Sequence, residues 1–314
     1  MFGSACKIRS LGGQQQSLRC RAEGRERKSA FRVPETTSRA PTRRLFSAMI
    51  LRIRLLSLAL SALATGVACD KPSVEWNDPV PIDEISGPAR LVVDSSGHVA
   101  YVVAPAPAVG APSSPGLCTA SLRAIASTAH VFSAWWNVRH DSSSALVIAS
   151  SADSGKTWGT PIAVDTTDVG SAGCNRPPPS VATVGDDLFV AYSMVAPEGK
   201  GVFFAHSMGA MVHSPVAVIY GDRLVPTAIA TDGDDVAVAY EDPNGSRPQV
   251  GVAFSAVQGH IFAWHTTASR GVDIATAPSV ALAGRRLAVS WATRRPTDTT
   301  ASRIPRVVRV GRFQ

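Results

Sequence analysis

Downstream of residue 88 the chain alternates short apolar runs with Gly/Asp turns, and the alternation recurs. The stretches from Pro179 to Tyr192, Pro226 to Tyr240 and Pro278 to Trp291 are copies of one unit, with weaker copies from Pro88 to Tyr101 and from Leu122 to Trp135. Each reads as an apolar strand, a tight turn and a second strand ending in an aromatic residue, which is the signature of a β-hairpin. After three of these units comes a second predicted hairpin: Ala145–Ser151 with Trp158–Asp165, Val202–Ser207 with Pro215–Tyr220, and Val250–Ser255 with Ile261–Thr266. Two hairpins make a four-stranded antiparallel sheet, and the copies from Trp135 onward place equivalent aromatics 48 to 57 residues apart. No helical periodicity appears after residue 70, so the pattern predicts an all-β domain spanning residues 70–314.

The most specific local signal lies in one of the outer hairpins. Residues 151–158 read Ser-Ala-Asp-Ser-Gly-Lys-Thr-Trp. Asp153 is suited to accept hydrogen bonds from turn N–H groups, and Gly155 to take a positive φ. Thr157 and Trp158 are expected to open the return strand, where a β-branched residue and a large aromatic fit the pleat. The set Ser151, Asp153, Gly155, Thr157 and Trp158 resembles the Asp-box, the hairpin repeat of sialidases and related β-propellers. That resemblance implies a propeller and a structural role for the box, on the face away from the binding site. The corresponding turns after Ser207 and Ser255 keep the Ser and lose the Asp.

The repeat predicts five blades, the first reduced, with six blades including one degenerate as the alternative. The last copy stops one strand short, whereas the run from Trp76 to Ile82 looks like the run from Trp158 to Val164. An N-terminal strand is therefore expected to complete the last blade and close the ring.

Charge and cysteines change the picture at the N-terminus. The 314-residue chain carries a net charge of +7, but eleven Lys/Arg against three Glu precede residue 49, and Arg52 and Arg54 follow, so residues 70–314 carry −3. That excludes the clustered cations of a nucleic-acid surface from the folded part. Residues 1–48 are polar, Arg- and Gln-rich and read as a disordered extension. From Met49 a short basic segment, a 14-residue apolar run (Leu55 to Ala68) and small residues before Cys69 read as a secretory signal spanning 49–69. Gly66-Val67-Ala68-Cys69 resembles the bacterial lipoprotein box, which implies lipidation of Cys69, with plain cleavage near Ala68 as the alternative. Thr42 to Phe46 looks like a twin-arginine signal, but Arg52 and Arg54 interrupt the apolar run that should follow. The expected address is the bacterial cell envelope, with membrane attachment through the lipid alone. Export makes a disulfide between Cys118 and Cys174 possible, against two buried thiols.

Candidate chemistry falls on the loops between second and third strands and between blades. Arg176 and Arg223 each stand three residues before the Pro that opens an inner strand. Two guanidiniums converging near the axis suit a carboxylate or sulfate, and pairing with Asp is the plainer alternative. Arg139 and Glu241 complete the candidate set. The sialidase resemblance would imply three arginines, a Tyr activated by a Glu, and an acid/base Asp. Yet three of the four tyrosines, Tyr101, Tyr192 and Tyr240, are the repeat's own strand-ending aromatic. Arg303-Ile304-Pro305 follows all the boxes, where the family's Arg-Ile-Pro motif precedes them. No catalytic residue carries over. No metal or cofactor motif is present in the sequence. The sequence thus predicts a monomeric, non-catalytic, anchored propeller that binds a glycan or an envelope protein, with a diverged sialidase-like hydrolase as the alternative.

Overall fold

The computed structural model describes residues 73–83, 89–104, 112–208, 211–212, 214–270, 274–294 and 305–313. The chain divides into two units, Met1–Cys69 and Asp70–Gln314, and every described residue belongs to the second. The basic extension, the signal and Cys69 lie outside the described residues.

Apart from one 3₁₀ turn at Thr119–Ser121, the regular structure described is all strand, and every pairing is antiparallel. Two short N-terminal strands, β1 (Val74–Trp76) and β2 (Val80–Pro81), come first. The first sheet is the hairpin β3 (Ala89–Val93) and β4 (Val99–Val103). The second runs β5 (Arg123–Ala126), β6 (Val131–Val138), β7 (Ser144–Ser151), β8 (Ile162–Asp165). The third holds β9 (Ser180–Val184), β10 (Asp187–Ala196), β11 (Gly199–Met208), the stub β12 (Met211–Val212) and β13 (Val216–Tyr220). The fourth is β14 (Thr227–Asp232), β15 (Asp235–Glu241), β16 (Val250–Ser255), β17 (Trp264–Thr267). The fifth is β18 (Ile274–Ala283), β19 (Arg286–Arg294), β20 (Arg306–Phe313), and it is joined by the N-terminal strands: Trp76 stands opposite Gly311, and Val80 opposite Val308.

Turn chemistry explains the hairpins. The loops β9–β10, β14–β15 and β18–β19 have two residues each, with Gly185, Gly233 and Gly284 at the first position and φ of 57°, 59° and 54°. That is the two-residue geometry that matches strand twist.

Packing follows from period-two alternation within strands that are buried on both faces. On β10, Leu188, Val190, Tyr192 and Met194 pack against the second sheet, whereas Phe189 and Ala191 pack against the fourth. On β15, Val236, Val238 and Tyr240 turn to the third sheet and Ala237 and Ala239 to the fifth. On β19, Leu287, Val289 and Trp291 turn to the fourth and Ala288 to the first. Tyr192, Tyr240 and Trp291, the strand-ending aromatics of the three strong copies, therefore occupy one equivalent position, facing the preceding sheet. First strands of neighbouring sheets touch where β3 meets β18, β18 meets β14, β14 meets β9 and β9 meets β5, so the sheets stand side by side.

The sheet edges correct one expectation. Trp158 does not open the return strand, because β8 begins at Ile162. Gly159 instead donates to the Ser150 carbonyl at 2.8 Å, which holds the chain in the turn, and Trp158 packs against the cluster of Trp135, Ala145, Val147 and Ala149 on its own sheet.

Leu287 is fully enclosed between the fourth and fifth sheets. Leu287→Ala is expected to lower unfolding free energy by about 2–5 kcal/mol in urea melts. Val103→Ala, at a position 66% exposed, is expected to change it by less than about 0.5 kcal/mol.

Candidate functional site

In each four-stranded sheet, loops between second and third strands share one edge with the connections between sheets, and the hairpin turns share the other. That assignment follows from the antiparallel order alone.

The turn edge is occupied by self-contained hydrogen bonding. Ser151 Oγ accepts from the Gly155 N–H at 2.8 Å and pairs with Asp153 Oδ1 at 2.7 Å. Asp153 also accepts from the Thr157 N–H at 2.8 Å and hydroxyl at 2.6 Å. These donors hold its carboxyl well below the usual range, the Thr157 hydroxyl contributing most. Ser154 and Gly155 carry φ of 61° and 85°. The turn after Ser255 repeats this frame without the Asp: Ser255 Oγ accepts from Gly259 N–H at 3.0 Å, and Gln258 and Gly259 carry φ of 55° and 81°. The Ser151 hydroxyl and the Asp153 carboxylate are thus engaged within the turn itself.

On the loop edge the four sequence candidates fall into two groups. The first surrounds the 14-residue connection between β8 and β9. Arg176 is enclosed there: its Nη2 meets Asp168 Oδ2 at 3.0 Å with both side chains fully buried, and its Nε donates to the Gly173 carbonyl at 3.0 Å. Its guanidinium carbon lies 4.9 Å from the Trp136 ring centroid. Asp168 Oδ2 also accepts the Ser144 N–H at 2.8 Å. Two residues before Arg176, Cys174 is disulfide-bonded to Cys118, closing a separation of 56 residues. On the chain-entropy account that closure stabilises by about 4 kcal/mol. Arg139 belongs to the same group, its Nη2 donating to the Thr166 carbonyl at 2.6 Å. This is a buried clamp between the second and third sheets, and Arg176 has no surface with which to meet a ligand.

The second group surrounds the six-residue connection between β13 and β14. Among the described residues no carboxylate pairs with Arg223 as Asp168 does with Arg176, and Arg223 is exposed. Its Nη2 donates to the carbonyls of Asp242 (2.7 Å) and Gly245 (3.1 Å), and Nε and Nη1 take no further hydrogen bond among the described residues. The loop is fixed to the β15–β16 loop by Asp222 N–H to Pro243 O at 3.2 Å and Asn244 Nδ2 to Tyr220 O at 2.8 Å. Lys200 Nζ donates to Asp222 O at 3.3 Å. Gly221 is packed so closely on Pro243 that a Cβ would lie 2.4 Å from it. Glu241, next along β15, accepts from the Ala277 N–H at 2.9 Å and steadies that residue at a φ of 51°.

Tyr220 completes this rim, at a position the repeat pattern does not single out. Its side chain is 48% exposed, and its ring stands edge-on to buried Phe203 at 5.9 Å and 86°. Gly201, its cross-strand partner, offers no side chain to cover it. The available signal was that Tyr220 alone among the tyrosines falls outside the repeat's aromatic position.

The other tyrosines serve the seams between sheets. Tyr192 donates to Asp165 Oδ2 at 2.6 Å, and burial, followed by the Asp165 charge, pushes its phenol well above the ordinary range. It is fully enclosed, so this Tyr–carboxylate pair offers no reach to a substrate. Tyr240 meets His265 Nδ1 at 3.2 Å and is raised chiefly by burial. Tyr101 bonds Ser290 Oγ beneath Arg306, which also donates to the Ala277 carbonyl at 2.8 Å. Arg303 and Ile304 lie outside the described residues, and Pro305 accepts the Thr293 N–H at 2.9 Å. Among the described residues no group of three or more His, Cys, Asp or Glu could hold a metal.

No protein-family model and no curated protein matches the chain. Similar solved structures include a protein of unknown function from Dyadobacter fermentans, with 16% identity, TM-score 0.41, and coverage of 59% of this chain and 50% of that one. The Hadza microbial sialidase Hz136 has 14% identity, TM-score 0.39 and coverage of 56% and 44%. Trypanosoma rangeli sialidase has 12% identity, TM-score 0.41 and coverage of 71% and 39%. The chain thus spans half or less of the length of these three structures.

The contrast between the two groups is measurable. Asp168→Asn, which strands a buried guanidinium, is expected to cost about 3–5 kcal/mol in denaturant melts. Arg223→Gln, at an exposed position, is expected to cost less than about 0.5 kcal/mol.

Proposed function

We propose that the protein is a non-catalytic, lipid-anchored β-propeller of a bacterial cell envelope that binds a glycan through its loop edge, at the rim formed by Tyr220 and Arg223. In this reading the five sheets are five blades, the first reduced to a hairpin, and the N-terminal strands close the ring in the last one. The anchor is the lipid on Cys69, which brings the folded part to the membrane without a spanning helix. The observation that carries the binding role is the exposed Tyr220 ring, held by Phe203 at 86° at the end of the loop that carries Arg223, whose Nε and Nη1 bond no described residue. A sugar ring has an apolar face of C–H groups and a rim of hydroxyls. A pre-positioned aromatic plane receives the first at small entropic cost, and Arg223 and Asn244 donate to the second.

Support for a non-catalytic role comes from the tyrosines: a sialidase-like nucleophile needs a Tyr–carboxylate pair open to substrate, and Tyr192 with Asp165 is shut between two sheets. The diverged hydrolase therefore stands as the second reading, with activity on sialosides as its mark.

Glycan-array binding of the mature protein is expected to select at least one saccharide class. Tyr220→Ala should weaken that binding at least tenfold with an unchanged melting temperature, and release of sialic acid from an aryl sialoside should stay at background. Binding that survives Tyr220→Ala, or turnover above background, overturns the reading. Intact mass of the envelope form is expected to match a chain beginning at an acylated Cys69.

A further inference from the structure

Away from the loop rim, two clefts open along the seam between the fourth and fifth sheets. The larger, about 280 Å³, is walled by Phe254, Trp264, Thr266 and Phe313; the smaller, about 130 Å³, by Gln249, Ser269, Trp291 and Thr293. Arg270 lines both. Its side chain is exposed and makes no hydrogen bond or ion pair among the described residues, in contrast to Arg176, Arg223 and Arg309. Among the described residues no carboxylate lines either cleft. A second guanidinium lies close by: Arg309 sits 5.7 Å over the Trp76 ring, and the Trp76 Nε1 donates to Thr266 at 3.4 Å.

We infer that this seam is a binding site for a small ligand carrying a carboxylate, sulfate or phosphate, which Arg270 holds through paired N–H donors while Trp264 forms the apolar wall. Three features carry the assignment. The cation common to both clefts has no acceptor among the described residues, and a guanidinium fork matches an oxyanion better than any neutral group does. With no acidic side chain among the described lining residues, an anion meets no repulsion from them. The Trp264 ring is stacked on Phe254 at 5.1 Å and 10°, which fixes it as a rigid wall. Both clefts fall below the usual size of a drug-sized pocket, so the occupant is a single small group and not a chain. The acid group can belong to a free acidic sugar or to a phospholipid headgroup at the membrane. The chemistry at Arg270 is the same for both.

The test uses the full mature chain and three probes: sodium glucuronate, glucose, and vesicles of phosphatidylglycerol or phosphatidylcholine. Saturable tryptophan-fluorescence change with glucuronate, absent with glucose and weakened at least tenfold by Arg270→Gln, is the expected result for a free acidic sugar. An Arg270-dependent tryptophan-fluorescence change with phosphatidylglycerol vesicles, absent with phosphatidylcholine vesicles, assigns the same site to a lipid headgroup. Both effects should survive Tyr220→Ala, so that failure at the loop rim and failure here are told apart. Binding unchanged by Arg270→Gln, or no Arg270-dependent response to glucuronate or to anionic vesicles, overturns the inference.

Discussion

Every sheet in this protein beyond the first hairpin is asked to be apolar on both faces, and that demand shapes the rest of the molecule. A strand such as β10 offers Leu188, Val190 and Tyr192 to one neighbour and Phe189 and Ala191 to the other, so it cannot be exposed without losing two cores at once. Lateral packing of sheets thus does the work that a helix layer does in other folds. Because the apolar faces are consumed by neighbouring sheets, polar chemistry is pushed to the two edges, where turns and loops emerge.

The two loop groups show how differently those edges can be finished. Between the second and third sheets, a long connection brings Asp168 over Arg176 and is pinned by the Cys118–Cys174 bond, and the result is sealed. Between the third and fourth, a short connection is held by backbone carbonyls instead. Carbonyls satisfy part of a guanidinium without neutralising it, so Arg223 keeps both its charge and its outward donors. The same residue type at equivalent distance from an inner strand therefore becomes a rivet in one place and a contact group in the other.

The repeat was legible because it is written in local terms. Gly at the first turn position and an aromatic at the strand end need only a few neighbouring residues, and the hairpins from Pro179 to Tyr192 and from Pro226 to Tyr240 formed where the pattern put them. The outer hairpin after Ser255 was readable for the same reason: the Ser hydroxyl and two positive-φ residues preserve the turn after its Asp has gone. The fate of Arg176 was not legible, since it depends on a loop doubling back to deliver Asp168. Tyr220 escaped notice because it belongs to no repeated position, and its exposure comes from Gly201 across the strand. The seam at Arg270 draws on residues as distant as Thr266 and Phe313, which only sheet packing brings together.

Both candidate surfaces presuppose that the sheets are stacked in register, with the chain's N-terminal strand completing the last of them. Glu75 and Arg312 stand opposite each other in that pairing. Antiparallel partners have Cα atoms about 4.5–5.5 Å apart, within reach of a disulfide. The direct measurement is to replace both with cysteine and follow oxidation of the monomer by peptide mapping. A quantitative intramolecular bond between positions 75 and 312, formed in the native state and raising the melting temperature, is the predicted result. Two free thiols that join only after denaturation would contradict the arrangement.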